Sequence, residues 1–463
     1  MSRETVPSAL APLHKVRIEN FRGVRLLELE LDPHVTVLFG SNAAGKTTLL
    51  DAIAIGLGAI VSRVPNVQGR SFARAGDLRR PYLDRPEVDE RRGVECPFAH
   101  VEVQSASGVS WGVTTWRSAA DRARHKGKLT VRELNETVDT LVLAALDMPP
   151  DQPGASIPLV AAYGNERAVV DVPLRERDFR TEFKRLDAFE QSLVATTRFK
   201  AVFEWFRMME DEERRQRVQR RDLDFVLPEL EWVRRAVAHA GLRCAHPRVE
   251  SRPIRMLVDF EHPDGSFEEL DLKSLSDGYR THFALVVDVA RRMVQLNPTE
   301  QLDDLQRGTN SPAIVLIDEV DLHLDPTWQA TVVHGLREAF PNAQFVLTTH
   351  SEQVLGAVAA GSVRRLSWRD GEVVAERVPF AQGATGERIL IDLMGAAERV
   401  AGPVTEALSA YVDLVDGGTG HSSEAVRLRA ELDRAIPGDP RLHQADLEMQ
   451  RQELLQHLKA ALS

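Results

Sequence analysis

The sequence predicts an α/β fold with an antiparallel β-subdomain, a helical insertion and a helical C-terminal region. Three observations lead there. The apolar runs VTVLF (35–39), AIVLI (313–317) and QFVLT (344–348) read as strands buried on both faces of a parallel sheet, with helical segments after and between them. HKVRIENF (14–21) and RLLELELD (25–32) alternate apolar and polar residues, as half-buried strands of a meander do. Residues 176–245, and everything after 381, lose the strand pattern and become helical.

Taken in order, the meander is followed by the 35–39 strand and a helix that begins within GKTTLLDAIAIGLGAI. Residues 97–116 read as a strand pair, 150–156 as loop and IPLVAAY (157–163) as a strand. Strands return at 254–260 and 267–272. A helix (278–295), a strand (313–317), a helix (327–339), a strand (344–348) and a strand pair near 362–377 follow. Gly417, Gly418 and Gly420 mark one turn of the C-terminal region, and IPGDPR (436–441) marks another. The last helix carries a stripe of Leu447, Leu454, Leu455, Leu458 and Leu462, read most simply as core packing and alternatively as a dimerisation face. The resulting division is an N-terminal lobe (1–175), a helical insertion (176–246), a C-terminal lobe (247–380) and a C-terminal helical region (381–463).

A chain of 463 residues is long enough for two or three domains. Hydrophobic residues at 43% and charged residues at 27% are those of a globular protein. No apolar stretch approaches the roughly 20 residues of a membrane helix, and residues 1–15 lack the apolar core of a secretory signal. Cys96 and Cys244 lie far apart and make no metal-ligand spacing. A cytoplasmic protein is expected. The net charge of −11 argues against a surface coated for nucleic acid, though not against a local groove. The densest basic run, RRQRVQRR (214–221), follows the acids of EDEE, so internal ion pairs on a solvated helix face are expected ahead of a DNA contact.

Two motifs carry chemistry. GSNAAGKT, Gly40 to Thr47, fits G-x-x-x-x-G-K-[ST] between a buried strand and a helix. Such a loop surrounds a β-phosphate with backbone N–H groups at a helix N-terminus. Gly40 and Gly45 allow the turn, Asn42, Ala43, Ala44 and Thr48 complete the cradle, Lys46 bridges β- and γ-phosphates and the Thr47 hydroxyl coordinates Mg²⁺. The expected ligand is ATP with Mg²⁺. The second motif is AIVLIDE, a buried strand ending in Asp318 and Glu319. Asp318 would hold the Mg²⁺ with Thr47, and Glu319 would polarise the attacking water. Asp321 and Asp325 crowd the same stretch. Like charges so close need a cation or a network of donors.

The stretch LKSLSDGYRTHFALVVDVARRM places Ser276 and Gly278 at a helix N-terminus. Here the chain resembles the ATP-binding-cassette ATPases, as a P-loop NTPase head of that type. In that class the signature loop of one subunit closes on the γ-phosphate held by another. The resemblance implies that role for Ser276 and Gly278, a D-loop position for Asp325, and a switch histidine, His350, at the end of FVLTTHS. Tyr279 stands where the class usually has Gln or Glu. IENFRGV resembles the structural-maintenance-of-chromosomes and RecF branch, which implies that Arg22 approaches the nucleotide. Taken with PLVAAYG, DVARRMVQLNP, VLIDEVDLHLDPTWQ and RILIDLMG, the chain from about 15 to 460 resembles the stand-alone bacterial ATPases of Septu-type and retron-linked anti-phage systems. That family usually has His at position 325 and Gly at position 44. The resemblance implies an ATP-dependent homodimer or higher oligomer and a separately encoded nuclease partner, often of the HNH type, with DNA as a further candidate and no membrane partner. The segment with Phe72, Gly76, Asp77 and Arg79 is the candidate Q-loop region. The alternatives are a RecF-like DNA-repair or chromosome-maintenance ATPase, and a nucleotide-sensing scaffold with little turnover.

Overall fold

The computed structural model describes residues 9–65, 67–73, 75–81, 94–125, 127–147, 156–165, 182–194, 199–251, 253–299, 301–304, 307–369, 371–395 and 402–462. Most of the 150–156 loop lies outside them. The chain divides into two compact units, Met1–Ile389 and Leu390–Ser463.

Among its described residues the larger unit has three sheets. The two strands of the alternating segments, β1 (Leu13–Phe21) and β2 (Val24–Glu30), pair antiparallel. β4 (Phe98–Ser105) and β5 (Ser110–Trp116) extend them to the order β2-β1-β4-β5. The continuous apolar runs become β3 (Val35–Gly40), β10 (Ala313–Ile317) and β11 (Ala343–Thr348). With β6 (Leu159–Tyr163), β12 (Val363–Arg369) and β13 (Glu372–Arg377) they form a six-stranded sheet, β13-β12-β3-β11-β10-β6. All its pairings are parallel except the β12–β13 hairpin. This order sets the C-terminal ends of β3, β11 and β10 side by side. In an open parallel sheet that edge is where ligands bind.

Helix α1 (Lys46–Val61) leaves β3 and is buried along nearly its whole length. Trp111 of β5 donates its indole N–H to the carbonyl of Gly56 at 2.9 Å, fixing α1 against the antiparallel sheet. The side-chain amide of Gln344, in β11, joins the sheets as well. Its Oε1 accepts from Leu13 N at 2.7 Å, and its Nε2 donates to the carbonyls of Leu13 and Asp32 at 2.8 Å each.

The helical insertion contains α2 (Phe199–Arg220) and α3 (Pro228–His239). It ends earlier than the composition predicts. Cys244–Ser251 is a strand, β7, pairing with β8 (Ile254–Glu261) and then β9 (Phe267–Asp271). A register shift between Ala245 and Arg248, with His246 at φ 44, explains why CAHPRVES does not read as a strand. In the basic run, Arg214 pairs with Asp211 and Glu210, Arg215 with Glu212 and Arg217 with Glu213. The acids of the preceding turn thus absorb these three charges, as their spacing predicts.

α4 (Asp277–Leu296) is buried over most of its length. The helix expected at 327–339 is two pieces, α5 (Pro326–Gln329) and α6 (Val332–Ala339), separated at Ala330–Thr331. The smaller unit contains α7 (Pro403–Asp416), α8 (Ser423–Ala435) and α9 (Pro440–Leu462) around Leu408, Tyr411, Val415, Leu432, Leu442 and Ala445. The leucine stripe expected to be core on α9 is not. Leu447, Leu454 and Leu455 are exposed, while Leu442, Ala445 and Met449 face the core; the side chains of Leu458 and Leu462 lie outside the described residues. A bundle of three short helices covers only one face of the last one, and the pattern i, i+3, i+7 from Leu442 marks that face.

Candidate functional site

The phosphate loop starts where β3 ends. Gly45 takes φ 97 to turn the chain into α1, a conformation that favours glycine. Ala43 adopts φ 65 without being glycine, so the loop is held in a sparsely populated backbone state. Ser41, Asn42, Ala43 and Thr47 are exposed, Ala44 is buried, and Gly40, Gly45 and Thr48 are half-buried. The Lys46 side chain folds back over the loop, its Nζ donating to the carbonyls of Gly40 (2.9 Å) and Ser41 (3.2 Å). Burial pulls the Lys46 ammonium below its ordinary pKa, while Asp318, Glu319 and Asp321 oppose that fall. The carboxylates of this stretch thus act electrostatically on a buried cation.

The other carboxylate contacts are equally definite. Asp318 is buried at the end of β10, and its Oδ2 accepts from Thr47 Oγ1 at 2.8 Å. Its Oδ1 accepts from the Thr348 hydroxyl of β11, and its backbone N–H donates to the Tyr163 carbonyl of β6 at 2.8 Å. Glu319 sits at φ 49, its N–H donating to Thr348 Oγ1 at 2.7 Å. Asp321, to which the sequence reading assigns no role, bonds the segment after β11. It accepts from Thr349 Oγ1 at 2.7 Å and from the His350 N–H at 3.4 Å. Asp325 caps α5, accepting from the N–H groups of Thr327 (2.9 Å) and Trp328 (3.3 Å). Donors on β11 and on two helix N-termini thus make the acidic stretch tolerable.

Thr47 and Asp318 bring a hydroxyl and a carboxylate together beside the phosphate loop. These are the hard oxygen donors that Mg²⁺ accepts, with phosphate and water supplying the rest of its shell. The residues present fit that ion.

Arg22 occupies the β1–β2 turn at φ 49. Its guanidinium pairs with Asp51 of α1 at 2.6 Å and with Asp77 at 2.9 Å. Burial lowers its pKa and the two carboxylates more than restore it, so the net shift is upward. The candidate Q-loop segment docks here. The Arg22 N–H donates to the Asp77 carbonyl, the Arg79 N–H donates to the Asn20 carbonyl, and Phe72 packs edge-on against Phe21.

The signature residues gather at a second cluster. Ser276 is exposed and caps α4, its hydroxyl accepting from the Tyr279 N–H at 3.5 Å. Gly278 is buried against the backbone of the acidic loop, where a Cβ would stand 2.0 Å from the His323 carbonyl oxygen. Tyr279 packs between Phe260 and Trp328, which accounts for an aromatic residue at this position. Ser276 and Asp325 thus cap the two helices whose aromatic residues, Tyr279 and the buried Trp328, meet.

Two family models match the chain in succession. One, described as "AAA domain", matches residues 15–225. The other, "AAA domain, putative AbiEii toxin, Type IV TA system", matches residues 155–356 and so spans the signature, both acids and the switch. Over these two stretches the chain is similar to AAA-type ATPases. It is 26% identical to the "Retron Ec83 probable ATPase" of Escherichia coli over 94% of this chain and 86% of that protein. It is 36% identical to the "Septu protein PtuA" of Bacillus mycoides over 26% of this chain and 16% of that protein. Among solved structures, the SMC head domain from Thermotoga maritima aligns with a TM-score of 0.38 at 13% identity, over 79% of this chain and 98% of that one. Among the described residues no helix is long and apolar enough to cross a membrane.

Proposed function

We propose that this chain binds and hydrolyses ATP at a site completed by a second copy, and that the cycle regulates a separately encoded nuclease in anti-phage defence. The single observation that carries the reading is the Thr47–Asp318 contact beside a buried Lys46. It joins the phosphate loop to the acid-ended strand in the way a nucleotide site requires. Lys46 would exchange its two loop carbonyls for β- and γ-phosphate oxygens. Thr47 and Asp318 would hold Mg²⁺, which neutralises phosphate charge during transfer. Glu319, next to Asp318, would orient and polarise the attacking water, and His350 would contact the γ-phosphate. Ser276 and Gly278 of a second copy would close the site, with Asp325 at the junction. Arg22 would reach the nucleotide from the β1–β2 turn.

The retron and Septu names of the relatives support the defence assignment. The nuclease would be carried by the partner, a reading supported by the Septu and retron relatives. The test is Mg²⁺-dependent ATP turnover across a dilution series, with mass measured by light scattering. Turnover should rise with the dimer fraction. Full turnover by a strictly monomeric sample would overturn the shared site. Protection against phage that survives deletion of every neighbouring nuclease gene would overturn the partner.

A further inference from the structure

The β12–β13 hairpin follows the switch segment and carries none of the motifs above, yet it touches the phosphate loop at three places. The indole N–H of Trp368 donates to the Ala43 carbonyl at 2.9 Å, across 325 positions of sequence. The Leu366 carbonyl lies 2.3 Å from where a Cβ on Gly40 would sit. The Val373 side chain packs 3.6 Å from the corresponding point on Gly45. The first, fourth and sixth residues of the loop are therefore all backed by one hairpin.

The contact at Ala43 is the informative one. Ala43 is the loop residue held at φ 65, and its peptide is the one Trp368 grips. A strained backbone persists only where its surroundings over-determine it. Trp368 also reaches the Arg22 turn, its ring edge lying 3.2 Å from a Cβ position on Gly23. On the next strand Glu372 pairs with Arg25. Trp368 is 49% exposed. Burial of the ring is thus not what holds it in place, and its N–H has a specific acceptor.

We infer that Trp368 is a positioning residue for nucleotide binding: its indole N–H fixes the Ala43 peptide, and with it the direction of the loop's phosphate-binding N–H groups. This rests on the nucleotide reading of the loop given above. It makes the β12–β13 hairpin an outer wall of the phosphate site and links the loop to the Arg22 turn.

The test uses the full chain with Trp368→Phe, which keeps an aromatic ring and removes the donor. Binding of ATP and of inorganic tripolyphosphate is measured by calorimetry, with Trp368→His as the variant that restores a ring N–H. Trp368→Phe should weaken both ligands alike, on the order of 2- to 10-fold, the range expected for one hydrogen bond. Trp368→His should recover part of the loss. Unchanged affinity for both ligands overturns the inference. Weaker ATP with unchanged tripolyphosphate also overturns it, and would place the ring against the base instead. The second measurement is amide hydrogen exchange over residues 42–46 in the nucleotide-free protein. Exchange there should quicken in Trp368→Phe, with the rest of the sheet unaffected. Unchanged exchange overturns the inference even if the wild-type chain binds neither ligand, an outcome that would separately overturn the nucleotide reading.

Discussion

The carbonyl oxygen of His323 stands 2.0 Å from the point where Gly278 would carry a Cβ. The signature glycine thus has work to do inside its own chain, apart from any role toward a second copy. Gly278→Ala should destabilise the monomer by about 1–3 kcal/mol, the usual cost of overpacking. Urea denaturation without nucleotide measures it. Ser276 is exposed but caps α4, so Ser276→Arg should lower that midpoint only by the loss of an N-cap, about 0.5–2 kcal/mol, with no overpacking. Equal midpoints for wild type and Gly278→Ala would show that the loop yields without cost.

Lys46→Ala should lower ATP affinity on the order of 10²-fold, since a charged hydrogen-bonding group leaves a buried position. Calorimetry reads this directly. An unchanged constant would remove the phosphate-loop assignment.

Asp318→Asn keeps the shape that receives the Thr47 hydroxyl but loses the charge that favours a divalent cation. Turnover should fall to background in this variant. Chelation of Mg²⁺ by EDTA should do the same to the wild type, and added Mg²⁺ should restore only the wild type. Turnover that survives EDTA would exclude the Thr47–Asp318 ion site.

Glu319→Gln should bind ATP and lose on the order of 10²–10⁴ in turnover, the contribution of a positioned base. Its nucleotide-bound dimer should persist on a sizing column. Lys46→Ala and Ser276→Arg are each expected to be inactive alone. Mixed, they assemble one intact composite site and should recover part of the activity. No recovery at any mixing ratio, with mixed dimers demonstrated, would exclude a site able to fire singly.

His100 supplies the pH prediction. Its ring is buried in β4, with Nδ1 2.8 Å from Thr114 Oγ1. Burial, reinforced by Lys128, lowers its pKa from 6.5 to about 4. Between those values the unfolded chain takes up a proton that the folded chain refuses. This residue's contribution to stability is therefore intact above 6.5 and falls as the pH drops toward 4. The slope is at most about 1.4 kcal/mol per pH unit. His100→Gln should flatten the dependence of the urea midpoint over that range. Identical slopes would show that another group sets it.

What the sequence discloses follows from which interactions are local. The buried strands announce themselves because a parallel sheet covered on both faces needs uninterrupted apolar runs, and β3, β10 and β11 have them. The phosphate loop is legible because its chemistry is packed into eight consecutive residues. Asp321 is not, because its partners Thr349 and His350 come from a distant segment just after β11. Trp368 is less so, since its acceptor lies 325 residues away and an isolated tryptophan carries no spacing to read. β7 is hidden by its bulge, and the face of α9 that packs is hidden by a longer, more conspicuous leucine stripe.

The pairing of β3 with β11 and β12 also governs when the protein can be made whole. The phosphate loop leaves the ribosome early, but both neighbours of β3 lie beyond residue 340. Gln344, which bonds Leu13 and Asp32, is equally late. At about 5–20 residues per second, the first strands wait roughly 15–65 s for the segment that secures them. During that interval β3 is an apolar strand with both edges open. The antiparallel sheet β2-β1-β4-β5, whose pairings all lie within the N-terminal third, is what can close first.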